Sequence, residues 1–255
     1  MPEVTSPYAT GTPCWVGLMA KNHLAALDFY RDLLGWQGEP GPDEFGGYAV
    51  CELNGKAVAG IGPTMDPQAP TVWTSYLATT DAQATQDAIV AAGGTLIAPV
   101  MDVGNLGRML IAADPQGAVF GVWQPVDFSG AQVVNEPGAL TWNELHTSDI
   151  PAATGFYGEA FGIEFSAMEG ADAYWELKVG GRPVGGATLL ANDPPGTPAH
   201  WLTYFSVDDV DSTTDALVKA GGNVFVPPFD MVAGRMTVVA DPQGGIFAMI
   251  KPQPM

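Results

Sequence analysis

Two copies of one pattern fill this chain. Trp15 and Trp142, the dipeptides Phe29-Tyr30 and Phe156-Tyr157, Gly35 and Gly162, Arg108 and Arg235, and the tetrapeptides DPQG opening at Asp114 and Asp241 all stand 127 positions apart. Trp73 and Trp201, and the pairs Gly93-Gly94 and Gly221-Gly222, stand 128 apart. A period this long exceeds any solenoid unit, so each copy is a whole domain. The turn-rich, polar segment FSGAQVVNEPG, Phe128 to Gly138, separates them as a connector. The expected domains are 11–127 and 138–252.

Within a copy, periodicity switches between strand and helix. Trp15 to Met19 reads as a short strand. Asn22 caps a helix through HLAALDFYRDLLG, whose apolar positions recur at helical spacing and which stops at Gly35. YAVCELNGKAVAGIG reads as a hairpin turning at Asn54-Gly55. WTSYLATT is a second strand, and a second helix opens at Asp81 and ends on Gly-Gly. Two more strands, GRMLIAADPQG and AVFGVWQ, meet at the turn Asp114 to Gly117.

Composition narrows the function. Nine basic against 28 acidic residues give a net charge of -19, which repels phosphate backbones and anionic membranes, so no nucleic-acid or membrane partner is expected. With 47% hydrophobic and 15% charged residues, the chain reads as globular. Cys14 and Cys51 form no disulfide framework or CxxC motif and read as buried thiols. No signal peptide and no apolar run of about 18 residues is visible, so a cytoplasmic protein is expected.

The helices DFYRDLLGW and GFYGEAFGI, the Asp-opened second helices ending in Gly-Gly, and the DPQG turns before each final strand resemble the vicinal oxygen chelate superfamily, home of glyoxalase I, extradiol dioxygenases and the bleomycin-resistance proteins. The resemblance spans about Gly11 to Pro252, and is greatest to tandem bacterial members. It implies an α+β fold of two domains in tandem, each of paired βαβββ units whose curved sheet forms a cup. In metal-using relatives the ligands lie on the first strand of each unit and on the last strand. Counting seven back from each helix-opening residue, and seven forward from each DPQG aspartate, places those positions at Trp15, Trp142, Thr74, Leu202, Gly121 and Ala248. None of the six suits a divalent ion, which needs imidazole, carboxylate or thiolate donors. No metal and no other cofactor is therefore expected.

Alternate residues of a strand share a face, so Trp142, Glu144 and His146 point into the second cup where the first copy has Trp15, Gly17 and Met19. Val16, Leu18 and Leu145 suit the opposite, helix-covered face, but Asn143 does not. His200, opposite Val72 in the repeat, brings two of the chain's three histidines into the same half. His146 is the candidate acid or base, with Glu144 orienting it or carrying charge. Trp142, Tyr204, His200, Leu202, Trp15 and Tyr76 are candidate substrate contacts. Arg108 and Arg235, present in both copies, read as structural salt bridges.

The expectation is a metal-independent enzyme, monomer or homodimer, acting on an apolar, aromatic small molecule by acid-base chemistry that promotes cyclisation, dehydration or addition. Its link to natural-product biosynthesis comes from the family resemblance. The alternatives are a non-catalytic, resistance-type binder and a metal-dependent glyoxalase or dioxygenase.

Overall fold

The computed structural model describes residues 3–66, 68–171 and 173–253. The first half runs β1 (Pro13–Ala20), α1 (His23–Leu34), β2 (Ala49–Leu53), β3 (Lys56–Pro63), β4 (Val72–Ala78), α2 (Ala82–Ala91), β5 (Thr95–Val103), β6 (Gly107–Ala113) and β7 (Val119–Pro125). The second runs β8 (Leu140–Thr147), α3 (Ile150–Phe161), β9 (Glu164–Ala167), β10 (Tyr174–Val179), β11 (Arg182–Leu189), β12 (His200–Ser206), α4 (Val210–Lys219), β13 (Asn223–Met231), β14 (Gly234–Ala240) and β15 (Ile246–Pro252). Two mixed, curved sheets result, in the orders β2-β3-β1-β4-β7-β6-β5 and β13-β14-β15-β12-β8-β11-β10-β9. The fold is α+β, one sheet per copy.

Local chemistry sets the element ends. Asn22, Asp81, Asp149 and Asp209 each precede a helix and accept the backbone N–H three residues on, from Ala25, Ala84, Ala152 and Ser212. Gly35 and Gly162 close α1 and α3 in the left-handed region, at φ 78° and 69°. Asn54 and Gly55, at φ 52° and 76°, form the tight turn between β2 and β3.

The structure adds to the sequence reading in three places. Strands β5 and β13 escape it because each contains proline, Pro99 in one and Pro227-Pro228 in the other. Both strands sit at a sheet edge, where a missing N–H is tolerated, and both carry register shifts around the prolines. The first unit is one strand short of βαβββ: Gly- and Pro-rich 35–42 leaves only a bridge, Gln37 to Glu52, where β9 stands in the second copy. The connector, lastly, is built in rather than loose. Ala131 and Gln132 donate N–H bonds to Cys14 and Ala57, and Val133 bridges to Glu3.

The helix-covered faces of the two sheets pack against each other. Val16, Leu18 and α1 share a core with Phe205, Val239, Phe247 and Met249 of the second copy, while Leu77, Ile89 and Phe120 share one with Leu145, Phe156 and Tyr157. Asn143, the polar exception on this face, lies at the junction. Its Oδ1 accepts Ser75 Oγ at 2.7 Å and Thr203 Oγ1 at 3.3 Å.

Each copy also supplies a tyrosine to the other. Tyr30 Oη donates to Asp241 Oδ2 at 3.0 Å and Tyr157 Oη donates to Asp114 Oδ2 at 3.0 Å. Trp73 and Trp201 indoles donate in turn to Tyr30 and Tyr157, each at 3.0 Å. Each aspartate's other oxygen holds its own DPQG turn, Asp114 Oδ1 accepting from Gln116 and Ala118 and Asp241 Oδ1 from Gln243 and Gly245. The repeated Phe-Tyr, Trp73/Trp201 and DPQG landmarks thus form the joints between the copies. The arginines are structural as expected, Arg235 pairing with Asp211 and Asp230 and Arg108 with Asp102.

Tyr30→Phe and Tyr157→Phe each leave a buried carboxyl oxygen without its donor and a buried indole N–H without its acceptor. Urea unfolding is expected to show a loss of about 1–3 kcal/mol for either variant, and similar losses for the two because the joints are equivalent.

Candidate active site

The two cups differ in what occupies them. In the first, Gly17, Gly60 and Gly62 make a floor without side chains, and Tyr48 lies across it. A Cβ added at those glycines would sit 2.8, 1.9 and 2.6 Å from Tyr48 atoms. Trp15 Nε1 donates to Tyr48 Oη at 3.0 Å, Tyr76 rests on Gly121, and Phe128 meets Trp15 edge-on. Burial pushes the Tyr76 phenol up to about 12. The first cup is packed with its own aromatic rings.

In the second cup, register pairing places Tyr204 opposite Trp142, Leu202 opposite Glu144 and His200 opposite His146. Glu144 and His146 are buried, at 8% and 7% exposure. His146 Nε2 lies 2.9 Å from Glu144 Oε1, and Tyr204 Oη donates to the same oxygen at 3.0 Å. Two residues the sequence reading did not single out complete the cluster. Asp193 Oδ2 lies 2.7 Å from His146 Nδ1, and Tyr174 Oη accepts Trp142 Nε1 at 2.9 Å while standing over Gly186. The repeat held a signal for Asp193, which follows Asp66 by 127 positions, but Asp66 only caps a local turn. Tyr174 follows Tyr48 by 126, one residue off the main offset.

The imidazole of His200 stacks on that of His146, with centroids 4.5 Å apart and planes at 25°. Burial opposes charge on His146, but the hydrogen bonds and charges of Glu144 and Asp193 outweigh it and hold its pKa above the ordinary value. His200 is shifted the other way, down, first by burial and then by the neighbouring His146. Its Nδ1 lies 2.9 Å from the Pro198 carbonyl. A carbonyl only accepts, so Nδ1 carries the proton and Nε2 the lone pair. Burial, then Glu144, drives the Tyr204 phenol well above its usual range. One ring is thus biased toward the cation and its neighbour toward the free base.

Beyond this cluster the cup is apolar. Leu202, Met236, Val238, Ala248 and Ile250 pack with Trp142 and Tyr204. Val226 and Phe229, opposite Val238 and Met236, extend the same face and are 38% and 41% exposed, so this side is open. Two open hollows, about 350 and 320 Å³, lie elsewhere, beside α1 with Asp241 and beside Glu3 with Lys56. Trp15 and Tyr76 belong to the first sheet and do not share a cup with His146.

The fold implies a metal, and the residues at its usual positions do not fit one. Trp142, Leu202 and Ala248 supply no donor that a divalent ion would select. His146, Asp193 and His200 do bring three ligand-type atoms within 4.8 Å of one another. A shared ion, however, must lie near both ring planes on the lone-pair lines, and stacked rings send those lines side by side. Both ring nitrogens of His146 already lie within hydrogen-bond distance of a carboxylate, Asp193 and Glu144.

Residues 15–123 match the glyoxalase-like domain model, and 132–249 match the Glyoxalase/Bleomycin resistance protein/Dioxygenase superfamily model. The chain is 43% identical to "Putative glyoxylase CFP32" of Mycobacterium bovis, over 98% of both chains. It is 36% identical to "Anthracycline biosynthesis protein DauV" of Streptomyces sp. strain C5, over 96% of this chain and 94% of that one. The Mn(II)-bound glyoxalase of Novosphingobium aromaticivorans shares the fold, with a TM-score of 0.65 at 18% identity, over 96% of this chain and 83% of its own. The chain belongs to the glyoxalase/bleomycin resistance protein/dioxygenase superfamily and has the vicinal oxygen chelate fold in tandem. No helix among the described residues is long and apolar enough to cross a membrane.

The opposed shifts are directly measurable, because the chain has three histidines. Proton NMR titration, assigned with His23→Gln and His200→Gln, is expected to give His146 a midpoint above 6.5 and His200 one below it. The same linkage acts on stability. A histidine whose folded pKa is raised stabilises fully below its unfolded value of about 6.5 and loses that contribution as pH rises through the folded value. The stability gap between wild type and His146→Gln should therefore narrow toward high pH.

Proposed function

We propose that this protein is a tailoring enzyme that binds a largely apolar, aromatic small molecule in the second cup and moves protons on it, with no metal at the family's usual positions. The observation that carries the reading is the stacked imidazole pair, biased to opposite protonation states at the edge of an apolar concavity. Support for the substrate class comes from the relatives named anthracycline biosynthesis proteins DauV and DnrV, each 36% identical.

In this reading the ring system lies on Leu202, Met236, Val238 and Phe229, which fix one reactive conformer. His200 Nε2 takes a proton from an activated C–H or O–H. His146 gives one to the oxygen on which negative charge develops, and Asp193, which reaches the site from the loop after β11, yields its hydrogen bond to that oxygen. Glu144, held by Tyr204, positions His146 and favours its charged form. Proton removal at one end and delivery at the other is the step shared by ring closure, elimination of water and addition.

His146→Ala should keep ligand affinity and lower turnover of a polycyclic phenol or quinone substrate by about 10²- to 10⁴-fold. Activity of the wild type should rise with pH as His200 loses its proton below 6.5 and fall as His146 loses its own above 6.5. Unchanged turnover in His146→Ala would refute the assignment, and ligand binding without turnover in the wild type would favour a sequestering protein.

A further inference from the structure

We infer that the second cup is selective for charge: it admits uncharged or cationic ring systems and rejects those bearing a carboxylate or phosphate. The inference rests on the second cup being the ligand site. It adds a substrate class that neither the family nor the proposed proton transfer dictates.

Four carboxyl groups share this face, one of them Glu164 on β9, which pairs in register with Lys178. Glu144 rises from β8. Glu176 on β10 pairs in register with Gly186, which pairs with Glu144, so the two glutamates stand on one face two strands apart. Asp193 enters from the loop after β11. Glu144 and Glu176 both bear on the Tyr174 phenol, and Glu144 and Asp193 both bear on Tyr204, so their fields overlap within the site.

The cations are placed otherwise. Lys178 Nζ sits 3.0 Å from Glu176 Oε2 and is neutralised there. Arg182 pairs in register with Val179, which packs into the core under the helices, so Arg182 is on the far face. Arg235 is committed to Asp211 and Asp230, also on the helix side, and Lys251 pairs with Arg235 in register. The imidazole of His146 is enclosed by Glu144 and Asp193. Among the described residues, no guanidinium or ammonium is left on this face to receive an anion, and the chain as a whole carries -19. A like charge approaching to roughly 6 Å of such a group weakens binding by about one to two orders of magnitude at an effective dielectric near 20.

The test uses three anthraquinones that differ in one substituent, a carboxylate, a hydroxymethyl or an aminomethyl group, with binding read by tryptophan fluorescence quenching. The carboxylate should bind at least about tenfold more weakly than the alcohol, the amine as well as the alcohol or better, and the gap should shrink as salt is raised. Glu176→Gln frees the Lys178 ammonium and should close most of the gap; Lys178→Met should widen it. Both positions lie on strand β10 near a sheet edge, and either variant alone suffices for the test. Equal or tighter binding of the carboxylate to the wild type, or no binding by any of the three, overturns the inference. The charge ranking without turnover would leave it standing while removing the catalytic reading. Turnover by His146 with no charge ranking would do the reverse.

Discussion

The two joints at which the tyrosine of one copy meets the DPQG aspartate of the other fix everything else in this molecule. Tyr30 with Asp241 and Tyr157 with Asp114 are buried, reciprocal and reinforced by an indole each, and Asn143 ties the centre with Ser75 and Thr203. Burying polar groups is tolerable only when every one finds a partner. Here the partners lie across the copy boundary, so the helix-covered faces of both sheets are committed to each other. The concave faces are what remains for a ligand.

That division of labour explains the asymmetry of the cups. The tyrosine, tryptophan and aspartate of each joint serve both copies and recur in both. On the concave faces Trp15 and Tyr76 recur as Trp142 and Tyr204, while Gly17 and Met19 give way to Glu144 and His146. In the first cup Tyr48 covers a floor of three glycines, and the aromatic rings satisfy one another. In the second, Tyr174 stands over Gly186 instead, and Glu144 and His146 occupy the row where Gly17 and Met19 stand in the first. A glycine row and a carboxylate-imidazole row are two ways of filling the same place on a strand. One supports packing and the other holds charge.

Much of this was legible in the sequence because repetition and strand alternation are strong signals. The 127-residue offset located both sheets, and the period-two phase put Trp142, Glu144, His146, Leu202 and Tyr204 on one face. Asn143 looked like an error in that phase and is the interface's polar knot, a role that needs the second sheet to be seen. Asp193 and Tyr174 were missed for a different reason. Asp193 reaches the site from a loop, where no periodicity applies, and its repeat partner Asp66 is an ordinary turn residue. Strands β5 and β13 were hidden by prolines that only an edge position accommodates.

The central claim is that chemistry resides in the second cup, on a hydrogen-bonded imidazole pair facing an apolar wall. A crystal structure with a bound polycyclic phenol tests it most directly. The ring system is expected against Leu202, Met236 and Phe229, with a polar edge within hydrogen-bond reach of His146 or His200. A ligand seated in the first cup in place of Tyr48, or an ion joining His146, Asp193 and His200 and coordinating the ligand, would contradict it.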